Sequence, residues 1–196
     1  VRTVLPDMQN VMGKPTIEVH YEMVLPRDAS LTCRNSFGDT YVTGVAGGLA
    51  VDASFGTVDL RDITGAVNVR ARGEFPFLAQ NLLHGGVFEL HGANAVFRNV
   101  AGALKVSNFW GSVEVHDLPA ETSVDVVSES GSIGLYIPAE GTPNITATAL
   151  YGDIQSDVSL DQVSQGDVTV ARSENTASKQ QVSLRSSFRE IAIRRE

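Results

Sequence analysis

Four glycines, Gly38, Gly47, Gly56 and Gly65, recur nine residues apart and open the blocks GDTYVTGVA, GGLAVDASF, GTVDLRDIT and GAVNVRARG. Three of these blocks carry apolar residues at their third and fifth places: Leu49 and Val51, Val58 and Leu60, Val67 and Val69. A period of two with β-branched residues describes a short strand with one buried face. Ala50, Asp59 and Asn68 then point to the opposite face. Glycine at the boundary supplies a positive φ or a close backbone approach where the chain turns. Each block is a strand of about five residues and a turn of about four, so near-identical units follow one another head to tail. Hairpin-linked sandwiches have no such fixed spacing. The pattern predicts an all-β fold, a parallel β-helix or β-solenoid of about nine-residue strand-turn blocks stacked about 4.8 Å apart.

The pattern returns at Gly102–Val106 and Gly111–Val115, and more loosely at Gly131-Ser132-Ile133 and Gly152-Asp153-Ile154, with a further strand over Asn144–Ala147. A Ser-Phe pair precedes the boundary in Ser36-Phe37-Gly38 and Ser54-Phe55-Gly56, and again in Ser187-Phe188-Arg189. Arg in place of Gly at that last copy predicts a terminal, capping turn. The polar stretch Ser159–Gln181 reads as a long loop or weak strands before a final strand, Gln181–Leu184. Only Phe77–His84 has helical spacing, and it is too short to be stable alone. Residues 1–16 read as an N-terminal extension, and residues 17–196 as one solenoid domain with an irregular insertion at 74–92.

A hydrophobic content of 42% and a net charge of −8 over 196 residues suit one folded domain rather than a disordered chain. The single cysteine, Cys33, excludes an intramolecular disulfide and a cysteine-based zinc site; alternating with Leu31, it reads as a small buried apolar residue. No apolar run reaches the length of a membrane helix. The chain begins at Val1 without an initiator Met, as a removed leader or a trimmed end would leave it. Residues 111–170 hold ten acidic side chains (Glu114, Asp117, Glu121, Asp125, Glu129, Glu140, Asp153, Asp157, Asp161 and Asp167) and no Lys or Arg. That body repels phosphate backbones and argues against a nucleic-acid partner. The basic end, with Arg185, Arg189, Arg194 and Arg195, either folds back on the acidic body or faces an anionic partner or headgroups.

The run LPRDASLTCRNSFGDTYVTGVAGGLAVDASFGTVDLRDITGAVNV resembles the bacterial adhesin-type β-strand-repeat proteins, relatives of the GIN-type adhesin head domain. Matching pieces are His20–Pro26 as an extended strand ending in Leu-Pro, Ser36–Val42, Ser54–Leu60, Gly111–Val115, Gly131–Ile137, Gly152–Ile154 and Ser187–Ile193. The resemblance implies a β-helix module at the cell envelope, extracytoplasmic and peripheral to the membrane, with no catalytic residue to carry over.

Chemistry-bearing patterns are few. GGLAVDASF shares two glycines and Asp52 with the calcium-binding nonapeptide but has Ala50 and Ser54 at diagnostic places, and the next block lacks the pattern. His20, His84, His91 and His116 show no paired metal spacing. Asp59, Arg61 and Asp62 form the nearest acid-base trio, but Asp59 and Arg61 share one outward face and read as an ion pair. Asn144-Ile145-Thr146 is a glycosylation sequon, a match common by chance. No nucleophile elbow or phosphate loop occurs. No catalytic residue, cofactor or metal is expected.

The segment 74–110 holds six of the thirteen aromatics. Phe75, Phe77, Leu78, Leu82 and Leu83, with Trp110 nearby, either fill a wider coil or form a docking patch for a protein partner. The function expected is a non-enzymatic scaffold or adhesin-like module in an envelope assembly. The alternatives are a carbohydrate-binding or carbohydrate-active solenoid and a self-assembling filament built on open solenoid ends.

Overall fold

The computed structural model describes residues 21–139, 141–175 and 178–196. Every regular element among them is a strand: β1 (Leu31–Asn35), β2 (Thr40–Thr43), β3 (Leu49–Ser54), β4 (Val58–Ile63), β5 (Val67–Leu82), β6 (Gly85–Val100), β7 (Ala103–Phe109), β8 (Val113–His116), β9 (Ser123–Glu129), β10 (Ile133–Ile137), β11 (Asn144–Leu150), β12 (Ile154–Ser156), β13 (Asp161–Gln165), β14 (Val168–Ser173), β15 (Gln181–Ser187) and β16 (Ile191–Arg195). Leu31 pairs with Leu49 and Leu49 with Val67; Thr40 pairs with Val58. One coil therefore consumes two of the nine-residue blocks, one for each side of a flattened β-solenoid.

The two sides are parallel ladders. One runs β1-β3-β5-β6-β7-β9-β15-β11, and the other β2-β4-β5-β6-β8-β10-β16-β12. The long strands β5 and β6 serve both. Alternate residues from each ladder meet in one apolar core: Leu49, Val51 and Ala53 from one side, Val58, Leu60 and Ile63 from the other. Phe88 and Phe97 face each other across it edge to face, ring centroids 4.9 Å apart. Each fully buried Val, Leu or Phe contributes about 1.5–3 kcal/mol, so the core rather than any turn holds the stack together.

The glycine period records close approach between coils. A Cβ on Gly56 would lie 2.1 Å from the Gly38 carbonyl oxygen, and one on Gly65 only 1.7 Å from that of Gly47. These two glycines have ordinary φ, whereas Gly38 turns at φ 98°.

Residues 74–92 do not form an insertion. They continue the stack within β5 and β6, and the irregularity reduces to a register shift between Arg72 and Phe75. The period fades because Phe75 and Ala93 occupy the corner position held by Gly56 and Gly111. Phe77–His84, helical by spacing, is strand as far as Leu82, because pairing to β4 and β6 satisfies its backbone on both sides. Tyr21–Pro26 carries no strand, and the predicted extended strand's first residue, His20, lies outside the described residues, as do residues 1–16 and Glu140.

The final coil is not a cap. After β10 the chain builds β11 and β12, leaves as the antiparallel hairpin β13–β14, and returns as β15 and β16. These slot between the earlier coils: Val182 pairs with Val124 on one side and Ile145 on the other, and Ile191 with Ile133 and Ile154. The polar stretch after Ser159 is thus the hairpin, with β14 antiparallel on β11 and β13 fully exposed outside it.

Candidate functional site

One corner of the solenoid, where the first ladder passes to the second, carries three kinds of side chain in columns. Just inside it, three residues before the turn position, stand Asn35, Asn108, Ser128 and Ser186. Asn35 Nδ2 donates to the Gly38 carbonyl at 2.9 Å and Asn108 Nδ2 to the Ala93 carbonyl at 3.0 Å. Ser186 Oγ lies 3.1 Å from the Gly131 carbonyl oxygen and 3.0 Å from that of Arg189. A sharp turn leaves carbonyls facing inward, and Asn35, Asn108 and Ser186 satisfy them, whereas the buried Ser128 hydroxyl contacts none.

Outside the same corner stands a column of exposed rings: Phe37, Phe55, Trp110, Phe188 and Tyr151. Phe55 (φ 54°), Trp110 (φ 66°), Tyr151 (φ 56°) and Phe188 (φ 66°) are left-handed, a conformation costing non-glycine residues about 1–2 kcal/mol. Trp110 is 60% and Phe188 54% exposed, so more than half of each residue stays in water. Neighbouring rings stack: Phe37 on Phe55 (5.5 Å, 12°), Phe109 on Trp110 (5.0 Å, 29°), Tyr151 on Phe188 (5.3 Å, 10°). The column is broken by Gly73, Gly92 and Ser130, the last also left-handed at φ 62°.

Beside the rings runs an open groove of about 640 Å³ lined by Asn94, Ser112, Ser132, Asp153, Phe188 and Glu190, among others. Asn94 Oδ1 accepts from the backbone N–H of Ser112 at 3.2 Å and lies 3.1 Å from its hydroxyl. The Phe188 ring beside hydroxyl, amide, carboxylate and guanidinium groups makes a surface suited to binding.

The sequence-derived docking set divides. Phe75, Phe77 and Leu82 are core residues, Phe77 being 1% exposed and in contact with the Phe88 and Phe97 rings. No partner reaches them. Leu78 is half-buried, while Leu83 and Trp110 are exposed. Of the six, only Trp110 belongs to the corner column. Sequence reasoning noted the Ser-Phe pairs but missed that Phe37, Phe55, Trp110, Tyr151 and Phe188 share one position; the signal was an aromatic directly before the turn residue.

Other expectations resolve locally. Arg61 donates twice to Asp59, each at 2.8 Å, and that hydrogen-bonded charge raises the guanidinium pKa. Arg194 meets Asp157 at 3.1 Å and Lys179 pairs with Glu121, so the basic end folds back on the acidic body. Asn144 holds the loop before β15: its amide donates to the Ser178 carbonyl at 2.9 Å and its Oδ1 accepts from the Asn175 N–H at 2.7 Å. Burial pushes the half-buried Cys33 thiol up, away from reactive thiolate. Among the described residues no three His, Cys, Asp or Glu side chains gather as a metal would require, and no helix is long and apolar enough to cross a membrane.

No curated protein and no solved structure matches the chain. The family model described as Toastrack DUF4097 matches residues 22–193. That match agrees with the β-solenoid repeat and with a structural or interaction role, and it does not extend to the GIN-type adhesin head. With coils, corner and matched span in agreement, the chain belongs to the Toastrack (DUF4097) family.

Proposed function

We propose that this solenoid is a non-enzymatic interaction module of a bacterial cell-envelope assembly, extracytoplasmic and peripheral to the membrane, that meets its partner through the aromatic corner. The observation that carries this reading is the set of solvent-exposed rings held at positive φ. A turn needing φ > 0 is made at least cost by Gly or Asn. Four aromatics there hold a strained backbone while each stays more than half exposed, and such outliers cluster at functional sites. The rigid ladders beneath hold the rings in place, which lowers the ordering entropy of binding.

Co-sedimentation of the purified chain with a bacterial envelope fraction tests this. Wild type should be retained, and the Trp110→Ala/Phe188→Ala double variant should lose most retention while keeping its melting temperature. Equal retention of the two, or none by either, contradicts the reading. A head-to-tail filament is less favoured, because the hairpin β13–β14 covers the end of the first ladder by antiparallel pairing of β14 to β11, which interrupts the two-sided coil that a second copy would continue. Docking of headgroups on the basic end is likewise less favoured, since Arg194 and Arg195 are engaged by Asp157 and by the Ala139 carbonyl.

A further inference from the structure

The geometry points to a binding slot for one hexopyranose ring of a neutral glycan at Ser130, between Trp110 and Phe188; this deepens the corner-contact reading and rests on it. Along the corner the order is Trp110, Ser130, Phe188, Tyr151, fixed by backbone bonds from Trp110 N–H to the Glu129 carbonyl, Ser130 N–H to the Ser187 carbonyl, and Phe188 N–H to the Leu150 carbonyl. Adjacent positions on this column stack when both carry rings, as Tyr151 and Phe188 do at 5.3 Å. Ser130 puts a hydroxymethyl where a ring would continue the stack. Two strand spacings, about 10 Å, separate the backbones of Trp110 and Phe188, which leaves one coil level, that of Ser130, for a further ring between them, while the Trp110 ring stacks on Phe109 of its own coil. The apolar face of a sugar ring stacks on aromatics in this way, through polarised C–H groups against the π-face.

The groove supplies the rest. Ser130, Ser132, Ser112, Asp153, Arg189 and Glu190 line it beside the slot, and hydroxyls with paired acceptors and donors suit the ring of hydroxyl groups around a pyranose. An apolar side chain from a protein would leave these groups unpaired on burial. Charge narrows the class further. Asp153 and Glu190 outnumber Arg189 in the groove, and residues 111–170 contain no Lys or Arg, so an acidic sugar polymer is repelled while a neutral or N-acylated one is accepted. The groove crosses several coils, so an oligomer rather than a single sugar occupies it.

Trp110 is the only tryptophan, which makes its emission a reporter of the slot. The full chain is titrated with cellotetraose, chitotetraose and tetragalacturonate, and binding is checked by calorimetry. A saturable change in Trp110 emission with at least one neutral tetramer and none with tetragalacturonate is expected. Ser130→Tyr fills the slot in a backbone conformation that Trp110, Phe188 and Tyr151 already tolerate; it should weaken binding about tenfold or more with an unchanged melting temperature. Phe188→Ala should weaken it similarly. No saturable change with either neutral tetramer, preference for the acidic one, or undiminished binding by Ser130→Tyr overturns the inference. Saturation by N-acetyltryptophanamide in place of the tetramers assigns the slot to a protein side chain and overturns it too. Loss of glycan binding with retained envelope binding separates this failure from failure of the corner-contact reading.

Discussion

His116 Nδ1 stands 2.8 Å from Glu196 Oε1, joining β8 to the residue after β16 across eighty positions of sequence. The imidazole lies flat on Tyr136 of the intervening β10, ring centroids 4.0 Å apart at 7°, and its other nitrogen is 3.3 Å from Glu114 Oε2. A side chain from one coil thus clasps the interposed coil over the strand between them. His116→Ala should cost about 1–3 kcal/mol and speed amide exchange selectively over residues 191–195; uniform exchange changes would argue against a local clasp.

Glycine at the corners acts through space rather than conformation at Gly65. Gly65→Ala drives a Cβ against the Gly47 carbonyl and should cost about 3 kcal/mol or more. Gly38→Ala meets nothing within 4 Å but sits at φ 98°, and should cost only about 1 kcal/mol. Thermal melts of the two variants decide the order; a reversed ranking contradicts the stacking account.

Core and ridge aromatics should separate cleanly. Phe77→Ala should destabilise by about 3–5 kcal/mol, while Trp110→Ala, on an exposed ring in a strained conformation, should stay within about 0.5 kcal/mol or stabilise slightly. Denaturant unfolding gives both values, and comparable losses would place Trp110 in the fold rather than on its surface.

The Asp39 carboxylate accepts the Thr57 backbone N–H from the next coil at 2.8 Å, and that bond holds its pKa below the ordinary carboxylate range. A depressed native value means the stabilisation is present above the ordinary range and is lost as pH falls through the lowered one. The wild-type melting temperature should therefore fall more steeply than that of Asp39→Asn on acidification from about pH 5 to pH 2. Parallel slopes would remove Asp39 from the account.

The strand faces were legible from the spacing of Leu49, Val51, Val58 and Leu60, and so was the Asp59–Arg61 pair, because both depend on alternation alone. Coil order was not. Local pattern marks Gln181–Leu184 as strand whether it lies at the end or in the middle; only the pairing of Ser123 with Gln181 reveals its level. Residues 74–92 misled because Phe75 and Ala93 break the glycine spacing while the strands beneath continue. Asn108 and Ser186 look like ordinary surface polars, and their burial under the corner follows from which way the turn aims its carbonyls. The ridge was hidden for a related reason: its rings lie far apart in sequence and come together only through the coil order.

That order is the central claim, and cysteine cross-linking tests it directly. Arg185 pairs with Val127 on one side and with Thr148 on the other. In a Cys33→Ala background, dibromobimane, which bridges thiols about one strand spacing apart, is applied to three double-cysteine variants. Val127→Cys/Arg185→Cys and Arg185→Cys/Thr148→Cys should cross-link within the monomer, and Val127→Cys/Thr148→Cys should not. Efficient cross-linking of the Val127–Thr148 pair, with loss of the other two, would mean that the coils stack in chain order and would contradict the account.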